Sequence, residues 1–246
     1  MKLKLVGTGA IGAFERSASS LVDDIILVDC GNGITKTVVQ EGGKIEELEA
    51  MLITHLHGDH YADLPFFLMK RFYSKAEKRI NIYCPIGTED RVKALMRLFF
   101  GEDCLRTYDE KKKDGNVNFI EFSKLDDEEI CPGYFVTSYE MEHGDCRPAY
   151  GFILKHDEKK IGFSGDSSLC ENVRSIVKES NSCVLDMTDI EGNGAHMGYD
   201  NIKTLHEEYK ECRIIPTHMK DKTRTYVKSN MIESVIVPND GDTFEI

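Results

Sequence analysis

Residues 54 to 60 read THLHGDH and follow the apolar run AMLI, so three histidines and an aspartate fall within six positions where a buried strand ends. In H-x-H-x-D-H, His55 and His57 share one side of an extended segment, because alternate residues share a face. A turn at Gly58 then lets Asp59 and His60 address a neighbouring position. Neutral imidazole nitrogen and carboxylate oxygen are ligands of zinc and comparable first-row ions, and the absence of thiolate fits a catalytic rather than a structural site. Four residues cannot complete two coordination spheres, and three more donors stand further along: His143 in SYEMEHGD, Asp166 in FSGDSS and His218 in IIPTHMKD. Two cations a few ångström apart can share a water, lower its pKa and clamp both the attacked and the leaving oxygen. Asp166, with two carboxylate oxygens after the permissive Gly165, is suited to bridge them.

These candidates have one feature in common: each lies just past a short apolar, β-branched run. The runs KLKLV, SLVDDIILVD, MLIT, INIYC, NFIEF, YFVTSYEM, YGFILK, KIGFSG, CVLDM, RIIPT and SVIVP read as strands. ITKTVVQEG, LPFFLMKRFYSKA, EDRVKALMRLFF, CENVRSIVKES and NIKTLHEEYK read as helices, KHDEKK as a hairpin turn, NDG as a turn and KKKDG (111–115) as a solvated loop. Strands alternating with helices predict sheets covered by helices, and functional sites in such layered α/β proteins gather at the C-terminal ends of strands. No Pro/Gly/Ser-rich linker and no fixed-period repeat divides the chain, which reads as a single domain over residues 1–246.

The 246 residues carry 31 Lys and Arg against 43 Asp and Glu, a formal charge of −12. That balance argues against a broad nucleic-acid surface, which needs many Lys/Arg–phosphate contacts. It is compatible with a small anionic substrate drawn to a local positive centre. The eight cysteines form no CxxC pair and read as free thiols, Cys30 and Cys146 included, which are expected to pack as small hydrophobes. The opening MKLKLVGTGA is too polar for a signal peptide and no run is long enough to span a bilayer, so a cytoplasmic protein without a membrane partner is expected. His156 and His206 read as solvated surface residues. The aromatic run Phe66, Phe67, Phe72 and Tyr73 reads as a helix face packed on a sheet or on a partner subunit.

The chain resembles the metallo-β-lactamase superfamily and, within it, the ribonuclease Z-like branch. GTGAIGAFERSASSLV is similar to that branch's GTGAG…RxxSS opening, ILVDCGNG to its LFDCGEG strand, ITHLHGDHYADLP to its ITHLHGDHxxGLP, IYCPIG to IYGPxG and GDS to GDT. The resemblance implies a four-layer αββα sandwich with the site at the mouth between the sheets. It also implies that His55, His57 and His143 hold one divalent ion, zinc or manganese, that Asp59, His60 and His218 hold the second, and that Asp166 bridges the pair. Asp59 falls where the family's proton-handling aspartate lies.

VLDMTDIEGNGAHMGYDN resembles the branch's HEAT…HST region, which makes His196 the histidine that meets the scissile phosphate and Asp186 the carboxylate that orients it; Met197–Gly198 replace the serine–threonine pair. After His218, the sequence offers Lys220, Lys222 and Arg224 as alternative phosphate contacts and does not choose among them. Ribonuclease Z enzymes that bind tRNA carry a long arm between the third ligand histidine and the bridging aspartate, whereas here His143 and Asp166 are joined with room only for a hairpin. The expectation is therefore a dinuclear phosphodiesterase for small phosphodiesters such as cyclic nucleotides, acting through a metal-bridging hydroxide, since armless relatives include such enzymes, the anti-Pycsar enzymes among them. RNA 3′ end processing on a short nucleic-acid substrate, and hydrolysis of a carboxylic ester or lactone, are the alternatives. The family also implies a homodimer.

Overall fold

A computed structural model describes residues 1–74 and 76–246. The first sheet contains β1 (Lys2–Gly7), β2 (Ser19–Val22), β3 (Ile26–Val28), β4 (Ala50–Leu52), β5 (Ile80–Pro85), β6 (Val117–Phe122) and the C-terminal β13 (Thr243–Glu245), in the order β13-β1-β2-β3-β4-β5-β6. The second contains β7 (Glu128–Cys131), β8 (Tyr134–Glu140), β9 (Tyr150–His156), β10 (Lys159–Phe163), β11 (Ser182–Asp186) and β12 (Arg213–Thr217), in the order β12-β11-β10-β9-β8-β7. Helices α1 (Ile34–Gln40), α2 (Gly58–Tyr61), α3 (Leu64–Tyr73), α4 (Thr88–Phe100) and α5 (Glu102–Lys113) accompany the first sheet, and α6 (Glu171–Glu179), α7 (Tyr199–Glu208) and α8 (Asp221–Ser229) the second.

Strand periodicity builds the layers. Ala50 and Leu52 of β4 enter the apolar layer between the sheets, while Met51 turns outward to the helices. In β11, Val184 faces the first sheet while Cys183 and Leu185 face the second helical layer. Both faces of these strands are therefore apolar, as strands covered on both sides require. On α6, Val173, Ile176 and Val177 at the i, i+3, i+4 spacing supply the matching stripe. Three apolar layers separate two sheets and two helical coats, which is the expected αββα sandwich. Strands β10, β11 and β12 run parallel, and β8 runs in the same direction, so all four end on one edge. Among the described residues, no helix is long and apolar enough to cross a membrane.

Several local expectations are corrected. SLVDDIILVD is a hairpin, turned by Asp23 and Asp24 with φ of 48° and 60°. The lysines of 111–115 belong largely to α5, where Leu105 and Tyr108 bury one face, Glu102 and Asp103 meet the positive helix start and Lys111–Lys113 the negative end. SVIVP forms no strand: Val235 is buried as irregular chain, and the Pro238 carbonyl accepts from Arg224 instead. The last strand is β13, pairing with β1 from Lys2–Glu245 to Lys4–Thr243. The helix expected over 64–76 ends at Tyr73, and Lys75 lies outside the described residues. Phe67 and Phe72 face the core as expected, but Phe66 and Tyr73 point outward.

Candidate metal centre

The seven expected ligands converge from four chain segments. The chain leaves β4 through Ile53 and Thr54 to reach His55, and the Thr54 carbonyl accepts from the Tyr150 amide at 2.9 Å, tying this edge to the start of β9. Asp59 and His60 sit on the single turn α2. His143 follows β8, and its loop is pinned where the Gly144 amide donates to the Gly194 carbonyl at 3.1 Å. Asp166 follows β10 through Gly165, whose φ is +57°. His218 follows β12 with φ +57°, a left-handed backbone that non-glycine residues adopt sparingly and that turns its ring into the site.

The donor atoms form two groups about one oxygen. His57 Nδ1 lies 3.1 Å from both His55 Nε2 and His143 Nε2. His218 Nε2 lies 3.3 Å from both His60 Nε2 and Asp59 Oδ2. Asp166 Oδ2 stands 3.8 Å from His55 and His143 and 3.4 Å from His60 and His218. Nitrogens bound at zinc distances to one tetrahedral ion lie about 3.3 Å apart, so these separations match those a coordinated ion would need. All of these residues are buried except His57, which is exposed.

The tautomers support the same reading. His143 Nδ1 donates to the Ala195 carbonyl at 2.8 Å, and His60 Nδ1 to Asp29 Oδ2 at 2.8 Å. The Thr54 hydroxyl donates to Asp29 Oδ2 at 2.8 Å and so accepts from His55 Nδ1 at 3.1 Å. The Thr188 hydroxyl donates to Asp186 Oδ1 at 2.6 Å and accepts from His218 Nδ1 at 2.7 Å. Each of these four Nδ1 atoms has an acceptor, so each of the four Nε2 atoms can present a lone pair inward, while His57 presents its Nδ1. Crowded lone pairs repel unless a cation sits between them, and the donor set fits two divalent ions.

Two buried carboxylates thus direct four rings, each through one direct bond and one threonine relay. Asp186 Oδ2 holds His196 Nδ1 at 2.8 Å directly. Asp29, Thr54 and Thr188 were not singled out from sequence. Asp29 is marked only by its place in VDCG and by a φ of 61°, and the two threonines carry no ionisable group.

Charge follows this geometry. Burial alone would lower the His60 pKa, but Asp166 and Asp29 outweigh it and hold it well above the ordinary imidazole value. His55 is held well below, by burial first and then by His60. Burial opposes ionisation of Asp166, yet His218 and His60 keep its carboxyl well below the usual range. Asp59 is lowered against burial by its bond to His218. Burial would also lower His196, but its bond to Asp186 raises it.

Of the three candidate phosphate cations, Arg224 is excluded. It is buried, donating to the Pro238 carbonyl and the Thr8 hydroxyl, each at 2.7 Å, with Glu15 at 3.0 Å. Lys220 pairs with Asp189 at 2.8 Å, while Lys222 is exposed with no ion pair among the described residues. His156 is not merely solvated but stacks on Tyr134, with ring centroids 4.1 Å apart. His206 is half-buried, with a buried Nδ1. Cys146 does not pack as a core hydrophobe: it is half-buried beside His55, His57 and His143.

The comparisons with known proteins agree with the fold. Ribonuclease Z of Listeria monocytogenes serotype 4b (strain CLIP80459) is 26% identical over 190 residues, covering 71% of this chain and 56% of the relative. The chain therefore spans about half the length of the curated relatives it matches. Human tRNase Z, short form, superposes with a TM-score of 0.74 at 20% identity, covering 100% of this chain and 99% of that one. The metallo-β-lactamase fold protein YhfI of Bacillus subtilis superposes with a TM-score of 0.75 at 16% identity, covering 99% and 98%. A family model described as anti-Pycsar protein Apyc1 matches residues 1–238. The two-sheet sandwich is that of the metallo-β-lactamase fold, and the chain belongs to the anti-Pycsar protein Apyc1 family.

Proposed function

We propose that this protein is a phosphodiesterase acting on small phosphodiesters, with cyclic nucleotides as the substrate class. The observation that carries the reading is the plain β9–β10 hairpin between His143 and Asp166, turned at Asp157, which leaves no arm to grip a long RNA. Membership of the Apyc1 family supports it, and so does the net charge of −12.

His55, His57 and His143 would hold one ion, Asp59, His60 and His218 the other, and Asp166 would join them. When bound, two divalent ions, zinc or manganese, supply Lewis acidity and neutralise phosphate oxygens. Asp59, with its pKa held down beside His218, orients the attacking water. His196 keeps its Nδ1 proton on Asp186 and has Nε2 left for the substrate. Raised in pKa, the ring donates the Nε2 proton to the departing alkoxide. The exposed Lys222 meets the outer phosphate charge. A homodimer through the outward face of α3 completes the assignment.

A second reading, RNA 3′ end processing, is favoured by the relatives named ribonuclease Z. One panel separates the two readings: defined-metal protein on bis-p-nitrophenyl phosphate, 2′,3′- and 3′,5′-cyclic nucleotides, pre-tRNA, a lactone and a cephalosporin. Turnover of a cyclic nucleotide with shallow salt dependence is expected. Turnover of pre-tRNA alone, with a steep salt slope, would replace the first reading by the second. Turnover of only the lactone or cephalosporin would sink both.

A further inference from the structure

We infer that Cys146 is a thiolate ligand of the ion held by His55, His57 and His143, and that it biases this position toward zinc over manganese. The inference rests on the dinuclear reading of the site and adds a donor to it. The Cys146 sulfur and the ligand nitrogens of His55, His57 and His143 all lie within 4.8 Å of one another. A tetrahedral ion bound at zinc–nitrogen and zinc–sulfur distances places nitrogen and sulfur about 3.6 Å apart, so closure needs a movement of no more than about 1 Å.

The turn itself is fixed. The Cys146 amide donates to the His143 carbonyl at 2.9 Å, so thiol and imidazole leave the two ends of one hydrogen-bonded turn. The Gly144 bond to Gly194 anchors the same turn to the loop that carries His196. With Asp166 joining the two groups, Cys146 would be the fifth donor here, and Asp166 Oδ2 leans toward the other group: 3.4 Å from His60 and His218 against 3.8 Å from His55 and His143. No other cysteine joins such a donor group among the described residues.

As the metal–sulfur bond forms, the S–H proton passes to solvent, and no electron changes hands. The consequence is selectivity. Three imidazoles and a carboxylate accept manganese and zinc alike, whereas a soft thiolate favours zinc or cobalt.

The test is a cobalt(II) titration of chelator-stripped protein, following both bound cobalt and the near-ultraviolet sulfur-to-cobalt charge-transfer absorption. The native chain is expected to bind two equivalents and to show the band for one of them. Cys146→Ser and Cys146→Ala should still bind two equivalents but lack the band. Their zinc-over-manganese preference, read by elemental analysis after equilibration with both ions, should fall at least about tenfold. Two bound equivalents without a charge-transfer band, or a band that survives in Cys146→Ser, would overturn the ligand assignment and leave the dinuclear reading standing. Failure to bind cobalt at all would overturn both.

Discussion

His196 and Asp29 touch the same cluster but should fail differently when replaced. Asp186 holds His196 Nδ1 at 2.8 Å, and the proposed ligand set of two triads and Asp166 does not include His196. His196→Ala should therefore lower kcat by roughly 10²–10⁴-fold, the usual worth of a positioned acid, with bound metal unchanged by elemental analysis. Loss of metal alongside activity would make His196 a ligand and remove its role as acid. Asp29 never meets the substrate, yet it receives His60 Nδ1 directly and reaches His55 through Thr54. Asp29→Ala should weaken metal binding about 10–100-fold, the cost typical of losing an outer partner of a ligand histidine. Unchanged metal affinity, by competition with a chromophoric chelator, would show that the two rings are oriented by packing alone.

At the scale of elements, the site depends on how chain leaves strands. Gly165, with φ +57°, carries the turn from β10 to Asp166, and an added Cβ would stand 2.8 Å from the Tyr150 carbonyl oxygen and 2.9 Å from Thr54 Cβ. Gly165→Ala combines a left-handed backbone with a backbone clash, so it should cost about 1–3 kcal/mol in denaturant unfolding and lose metal by displacing Asp166. A variant with full metal content would mean that the turn has more slack than its contacts imply. These strand-end positions explain what the sequence made legible. His55, His143, Asp166 and His218 are metal-capable types just past apolar runs, so residue type and place pointed the same way. Thr54 and Thr188 gave no such signal, because a threonine relay exists only once two remote carboxylates arrive beside it. Cys146 reads in sequence as a packing cysteine because HGDC lacks the paired spacing of a thiolate site, and two of the three histidines beside it, His55 and His57, come from the remote loop after β4. Arg224 misled for the opposite reason: a cation soon after a ligand resembles a phosphate contact until Thr8, Glu15 and Pro238 are seen to enclose it. The helix α5 and the strand β13 were missed where charged residues mask a short buried stripe or where pairing depends on the opposite chain end.

Over the whole molecule, apolar surface and charge are unevenly shared. The surface is acidic overall, yet α3 and the end of α4 expose an aromatic patch. Phe66 is 47% exposed, with ring centroids 5.6 Å from Phe99 and 5.2 Å from Phe100, and Tyr73 is 77% exposed. Beside them runs a groove of about 570 Å³ lined by Val39, Phe66, Lys36 and Lys70. Large aromatic rings grouped on one outer face mark an association surface more often than a free one. A like copy is the proposed occupant, because a two-fold contact would set each aromatic patch against its equivalent while Lys36 and Lys70 stay at the rim. Phe66 is outside the core, so Phe66→Asp should leave folding intact while placing a desolvated charge in the interface. Sedimentation velocity is expected to show a dimer for the native chain and a monomer for Phe66→Asp at the same concentration. A native chain that stays monomeric across the accessible concentrations, or a variant that stays dimeric, would remove α3 from the interface. The proposed metal ligands lie past β4, β8, β10 and β12 rather than on α3, so metal content should be equal in both forms and would distinguish loss of assembly from loss of fold.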